Sequence, residues 1–320
     1  MLKIIAELCQ NHNGSIDTLL GMVNSAKKSG ATFAKIQALY SDELVYRPQF
    51  EDPNPGKFGM FRPYNLEKTR LANLDLTLED EKKFVSHCEN IGIIPMITVF
   101  TDKGVERAKI AGFRHIKIAS YDCTNFDLIN QVSNYCLSLH ISTGATSISE
   151  ITDLANFLKK LKFSKVIDIT ILHCRTEYPN KLNSLTMNRM KWLSTLDFPV
   201  GFSDHSEVFS LNGKKNETHN LASKVAINMG ASVIERHFSI LDPLSTKDGR
   251  ISASPTDIKE LINFSLMSQK LKDVDLEGFE EEVLLIAGTD DFEPTVEEWW
   301  NRKYYKGRVK SNSLKYLNAL

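Results

Sequence analysis

Short apolar runs recur along the chain and alternate with longer stretches whose apolar residues fall at helical spacing. The runs cover residues 3–7, 33–37, 93–98, 115–118, 137–142, 166–172, 200–203 and 232–235. Their length and aliphatic content predict buried strands. Between most of them lies an amphipathic stretch. Residues 16–29 carry Leu19, Leu20, Val23 and Ala26, and residues 150–161 carry Ile151, Leu154, Ala155 and Leu158. Residues 220–229 precede the eighth run. Strands alternating with helices imply a parallel sheet with helices outside. Eight such units favour a closed barrel, so the expected class is α/β, a (β/α)8 TIM barrel. No GxGxxG follows the first run, which weakens an open dinucleotide-binding sheet.

Length and composition narrow this further. The chain has 320 residues, and an eight-stranded barrel uses roughly 250, so one barrel over 1–273 with an extension over 274–320 is expected. The extension is acidic at 280–282, aromatic at Trp299 and Trp300 and basic from Arg302 to Lys310. It is too short for a second core. A net charge of -1 argues against nucleic acid or an anionic membrane as partner. The five cysteines form no CxxC pair, which points to a reducing, cytoplasmic setting. Glu7 comes too early for a signal sequence, and no apolar run reaches the roughly 18 residues of a membrane span.

Two connections are long, 39–77 and 206–219. Long loops in a compact domain tend to be lids or inserts. Both leave the carboxyl ends of strands, where a parallel barrel carries its chemistry.

Those ends carry a recurring polar signature. Glu7 ends the first run, Lys35 and Gln37 the second and Thr98 the third. Lys117, Ser120 and Asp122 follow the fourth, and Ser142 ends the fifth. Thr176 and Tyr178 follow the sixth, Ser203 and His205 the seventh, and Glu235 and His237 the eighth. His205 and His237, on neighbouring strands, could share one divalent ion and leave positions open for water and substrate. Lys35 and Lys117, with hydroxyls from Thr98, Ser120, Ser142 and Ser203, would make an anion site. A buried lysine could instead form a Schiff base. Glu7, Asp122 and Asp248 are the candidate acid–base carboxylates, unless they merely pair with Lys35, Lys117 or Arg250. His12 could contact substrate, while Cys174 and the tryptophan pair read as packing and Lys214-Lys215 as solvated charge.

The motifs resemble those of the sialic acid synthase family. They are Ala6-Glu7-Leu8-Cys9-Gln10-Asn11-His12-Asn13-Gly14-Ser15, Ala34-Lys35-Ile36-Gln37, Lys117-Ile118-Ala119-Ser120, Ile141-Ser142-Thr143-Gly144, Leu172-His173-Cys174 with Glu177-Tyr178-Pro179, Gly201-Phe202-Ser203-Asp204-His205 and Ile234-Glu235-Arg236-His237-Phe238. They occur in the family's order over roughly residues 3 to 270. The resemblance implies condensation of phosphoenolpyruvate with an N-acetylmannosamine-type sugar to a nine-carbon 2-keto acid, assisted by Mn2+ or Mg2+. It implies His205 and His237 as metal ligands. Lys35, Lys117, Thr98, Ser120, Ser142 and Ser203 would be phosphoenolpyruvate contacts, Gln37 and Tyr178 sugar contacts, and Glu7 and Asp248 functional carboxylates.

Four departures stand out. Asp122 replaces the usual Glu, Thr176 stands where a side-chain amide or serine touches substrate, and Thr246-Lys247-Asp248 replaces Gly-Pro-Asp. The fourth concerns the family's small C-terminal antifreeze-like domain, which in many members supplies an arginine to the partner's sugar site. It has no counterpart up to Leu320. Arg47, Lys57, Arg62, Lys214 or Lys215 of the two long loops could take that arginine's place. A homodimer stays open, because the family's dimer contact partly involves that domain. Two other classes compete: a barrel that binds sugar or phosphoenolpyruvate without turnover, and a metal-dependent aldolase or hydrolase on the same scaffold.

Overall fold

The computed structural model describes residues 2–55, 60–164, 167–290 and 292–310. The strands are β1 (Lys3–Glu7), β2 (Phe33–Ala38), β3 (Ile94–Val99), β4 (His115–Ile118), β5 (Ser138–Ser142), β6 (Asp168–Cys174), β7 (Val200–Asp204) and β8 (Val233–His237). Each pairs in parallel with the next, and β8 pairs back to β1, so the barrel is closed. The eight expected runs are these eight strands with ends shifted by a residue or two. Val166 and Lys57 lie outside the described residues.

The helices are α1 (Ile16–Lys28), α2 (Tyr64–Ala72), α3 (Leu78–Ile91), α4 (Asp102–Ala111), α5 (Phe126–Ser133), α6 (Ile148–Ser164), α7 (Arg189–Ser194), α8 (Leu221–Asn228), α9 (Pro255–Leu266), α10 (Gln269–Asp275), α11 (Glu280–Ala287) and α12 (Val296–Tyr305). Several begin where the sequence provides a cap. Ser15 caps α1 by accepting from the Thr18 amide, and capping boxes start α3, α9 and α12 at Thr77–Asp80, Ser254–Asp257 and Thr295–Glu298.

The strand period of two sorts every residue. Ile4, Ala6, Ala34, Ile36, Ile97, Val99, Ile116, Ile118, Leu139, Ile141, Ile169, Ile171, Phe202 and Ile234 share one buried layer with the helices. Each fully buried aliphatic of this kind contributes about 1.5–3 kcal/mol. The opposite parity faces the barrel axis. Its lower layer is apolar: Ile5, Phe33, Met96, Leu172 and Val233 pack together. Two residues further along the same strands come Glu7, Lys35, Thr98, Cys174 and Glu235, and these line the mouth. The apolar floor thus closes the barrel below and fixes the polar layer above it. Gly201 permits this closure: a Cβ there would lie 2.5 Å from the Val233 carbonyl oxygen and 2.6 Å from Leu172.

Among the described residues, the extension packs onto the barrel and contributes to its apolar layer. Ile286 of α11 is part of the apolar layer, and the Met187 amide donates to its carbonyl at 2.9 Å. Helix α12 lies over the mouth. Beyond it, Val309 bridges Leu44 in antiparallel fashion, and the Val45 amide donates to the Arg308 carbonyl at 2.9 Å. The long connection 39–77 is therefore not a free insert. It carries two short 3-10 turns and α2, and it is tied to the tail. No helix among the described residues is long and apolar enough to cross a membrane.

Candidate active site

A cavity of about 280 Å³ opens at the carboxyl ends of the strands, near the lower end of small-molecule sites (roughly 300–1,000 Å³). Of the expected site residues, Glu7, Asp122, Asp248, Lys35, Gln37, Thr98, Lys117, Ser120, Ser142, Tyr178, Ser203, His205 and His237 all line it.

The floor is a charge-balanced cluster. Lys35 Nζ donates to Glu7 Oε2 in a close ion pair and to Thr98 Oγ1 at 2.9 Å, and it sits 3.5 Å from Glu235 Oε2. Lys117 Nζ donates to Glu235 Oε1 at 3.2 Å, and Ser203 Oγ donates to the same oxygen at 2.7 Å. Burial alone would raise the Glu235 carboxyl, but Lys117 and Lys35 hold it well below the usual carboxylate range. Burial, with Lys117 adding to it, drives the Lys35 ammonium down to about 7 against the pull of Glu235. Ser142 Oγ is buried at the cavity wall without a hydrogen-bond partner. An orphaned hydroxyl of this kind is stabilised by any ligand atom that bonds it.

The two histidines stand beside this floor, with ring centroids 5.4 Å apart. His205 Nδ1 donates to the Arg175 carbonyl at 3.0 Å, which leaves Nε2 as the free lone pair. Burial, with His237 adding to it, drives His205 down to about 3; burial also lowers His237. Burial thus favours the neutral imidazole at both positions, the form that ligates a metal. His237 Nδ1 is buried with no hydrogen-bond partner and lies 3.9 Å from Asp248 Oδ2. These donors fit a divalent cation. The Tyr178 ring lies 4.3 Å from that of His205.

Cations gather at the rim. Arg62, Arg70, Lys247 and Arg308 line the upper cavity with Tyr305. Arg70 pairs with Glu67 at 2.8 Å and donates to Gln10 Oε1 at 2.7 Å; Arg308 reaches the same Glu67 at 3.5 Å.

Several expectations are corrected. Thr176 does not face the cavity. It is fully buried, and both its amide (2.9 Å) and its hydroxyl (3.3 Å) donate to Glu298 Oε1 of α12. Strand β6 ends at Cys174, and the tail carboxylate takes the polar groups beyond it. His12 is also structural, its Nδ1 accepting from the Gly14 amide at 3.0 Å. Loop 206–219 is not a lid: Lys215 pairs with Asp257 on the outer side, and neither Lys214 nor Lys215 lines the cavity. Arg47 clamps the tail instead, donating to the Lys303 and Lys306 carbonyls at 3.3 Å each. Of the described residues offered in that arginine's place, Arg62 alone lines the cavity. Conversely, the sequence placed Glu235 at the end of the eighth run without giving it a role and read Cys174 as packing, and it did not single out Cys9, Arg70 or Arg308, all of which line the cavity. The role of Glu235 follows from its place two residues before His237 on the same face, within reach of Lys35 and Lys117.

A model of the NeuB family matches residues 22–273. The chain belongs to the NeuB family. Among NeuB-type relatives, an uncharacterized protein of Methanocaldococcus jannaschii is 30% identical over 84% of this chain and 71% of its own length. The N,N'-diacetyllegionaminic acid synthase of Campylobacter jejuni is 29% identical over 81% and 73% respectively. The fold matches the N-acetylneuraminic acid synthetase of Leptospira borgpetersenii with a TM-score of 0.69 at 23% identity, covering 98% of this chain and 92% of that one.

Proposed function

We propose that this NeuB-family chain condenses phosphoenolpyruvate with the open-chain aldehyde of an N-acetylmannosamine-type sugar. The products are a sialic-acid-like nine-carbon 2-keto acid and phosphate. The observation that carries this reading is the grouping of two lysines on the floor and an unpartnered Ser142 hydroxyl at the wall with two facing histidines beside them.

In this reading Lys35 and Lys117 bind the anionic groups of phosphoenolpyruvate, and the hydroxyls of Thr98, Ser120, Ser142 and Ser203 complete the cradle. Because Glu7 and Glu235 already neutralise the two lysines, Arg62 and Arg70, on the connection after β2, share in offsetting the substrate's charge. A divalent cation, Mn2+ or Mg2+, held by His205 and His237 would supply Lewis-acid polarisation of the aldehyde oxygen. The vinyl CH2 carbon then forms a bond to the aldehyde carbon. Water adds to C2, and the phosphate leaves with its bridging oxygen. Glu7, Asp122 and Asp248 border the cavity and serve to orient the water or move its proton. Gln37 and Tyr178, nearer the rim, position the sugar.

Incubation with phosphoenolpyruvate, Mn2+ and a panel of aldehydo-sugars tests this. Phosphate release that depends on one N-acetylated sugar is the expected result. Binding without release would make this a binding barrel, and release of pyruvate from a 2-keto acid would make it an aldolase.

A further inference from the structure

Cys9 follows β1 with a φ of 47°, in the left-handed region that residues with side chains seldom adopt. Its amide is held there by Glu7 Oε1 at 2.7 Å. The residue is 5% exposed, and its Sγ lies 3.0 Å from Asp248 Oδ2. The same Asp248 oxygen is 3.9 Å from His237 Nδ1, which is buried and has no hydrogen-bond partner. One donor atom of each residue, the Cys9 sulfur, an Asp248 oxygen and a His237 ring nitrogen, lies within 4.8 Å of the other two. None of the roles assigned so far uses the thiol.

We propose that Cys9, together with Asp248, joins His237 in ligating the divalent cation at the mouth. The proposal rests on the preceding reading only in taking the mouth as a divalent-cation site. Zn–S, Zn–N and Zn–O bonds of about 2.0–2.3 Å place neighbouring ligand atoms of a tetrahedron about 3.3–3.5 Å apart. The separations of 3.0 and 3.9 Å lie within about half an ångström of that, and the third pair, sulfur to imidazole, lies within 4.8 Å and closes by side-chain rotation. On binding, the thiol S–H bond breaks, its proton passes to solvent, and the sulfur pair is donated to the metal. One thiolate and one carboxylate then balance a dication. A thiolate favours Zn2+, Co2+ or Fe2+ over Mg2+, because hard Mg2+ takes oxygen donors. The site would thus be more thiophilic than two histidines alone would make it.

The test uses the full chain, stripped of metal by a chelator, kept reduced and titrated with Co2+. The expected result is a near-ultraviolet thiolate-to-cobalt charge-transfer band that saturates at one equivalent. Cys9→Ser should lose that band while keeping the visible cobalt bands. Cys174→Ser should keep it, although Cys174 Sγ is 3.8 Å from His205 Nδ1. Zn2+ should displace the cobalt, and Cys9→Ser should weaken Zn2+ at least tenfold more than Mg2+. Wild-type protein that binds cobalt with no charge-transfer band, or binds none, overturns the proposal even if Cys9→Ser fails to fold. A band that survives Cys9→Ser also overturns it. Sugar-dependent phosphate release is scored separately on the same preparation. A missing band with intact release removes only the Cys9 assignment, and a band without release removes only the reaction.

Discussion

Glu298→Ala should unfasten the mouth. Glu298 is fully buried, and its Oε2 pairs with Arg175 Nη1 at 2.8 Å. Its Oε1 accepts from the Thr176 amide at 2.9 Å and the Ala145 amide at 3.3 Å. Removing one partner of a buried pair costs about 3–5 kcal/mol, because the other charge stays desolvated. The tail can escape that cost by lifting away, so the loss appears as local opening of α12 and the segment behind it. At 1.36 kcal/mol per decade, the open population rises by roughly 150- to 5,000-fold. Trypsin cleavage at Lys303, Lys306 or Arg308 reads that population when opening is fast relative to cleavage. Tyr305 and Arg308 form the upper cavity wall. The sugar KM should therefore rise, while phosphoenolpyruvate, held on the floor, binds as before. Glu298→Gln, which keeps the shape and one acceptor oxygen for the Thr176 and Ala145 amides, should open less. Cleavage within tenfold of wild type, together with an unchanged sugar KM, would refute the reasoning.

Lys117→Met removes a floor charge at similar volume, and phosphoenolpyruvate binding should weaken by about 1.5–3 kcal/mol, roughly 10- to 150-fold, by calorimetry. Arg308→Ala should raise the sugar KM, whereas Lys214→Ala with Lys215→Ala should leave it unchanged, since those lysines face away from the cavity. Burial pulls His219 down, but Asp257 and Glu260, each 3.2 Å from its Nε2, carry it up to about 9. Its folded pKa therefore exceeds the unfolded value near 6.5. The stabilisation, about 1–2 kcal/mol after screening, is complete below pH 6.5 and fades as pH rises to 9. Denaturation of His219→Gln should lack this slope, and an identical slope in the variant would count against the assignment.

The barrel was legible because its outward-facing residues are almost all aliphatic: Ile116 and Ile118, or Ile169 and Ile171, can only be buried strand positions beneath helices. The polar layer was legible for the same reason, two residues along the inner parity. The tail was not. Glu298 and Arg302 are buried charges, satisfied by Arg175 and Glu150 from distant parts of the chain, and local hydropathy marks such residues as exposed. That hidden pairing also explains Thr176, whose place after β6 suggested a substrate contact until α12 covered it. Cys9 escaped notice because a lone cysteine reads as packing, and its ligand-like neighbours come from the far end of the chain, at His237 and Asp248.

The central claim is formation of a carbon–carbon bond between phosphoenolpyruvate and a sugar aldehyde. The direct measurement supplies phosphoenolpyruvate isotopically labelled at its vinyl CH2 carbon, with N-acetylmannosamine-type sugars and Mn2+, and locates the label by NMR. The account predicts a labelled methylene between the keto carbon and a new carbinol carbon, formed in step with phosphate. Label recovered only as the methyl of pyruvate, or as unreacted phosphoenolpyruvate with every sugar tried, would contradict it.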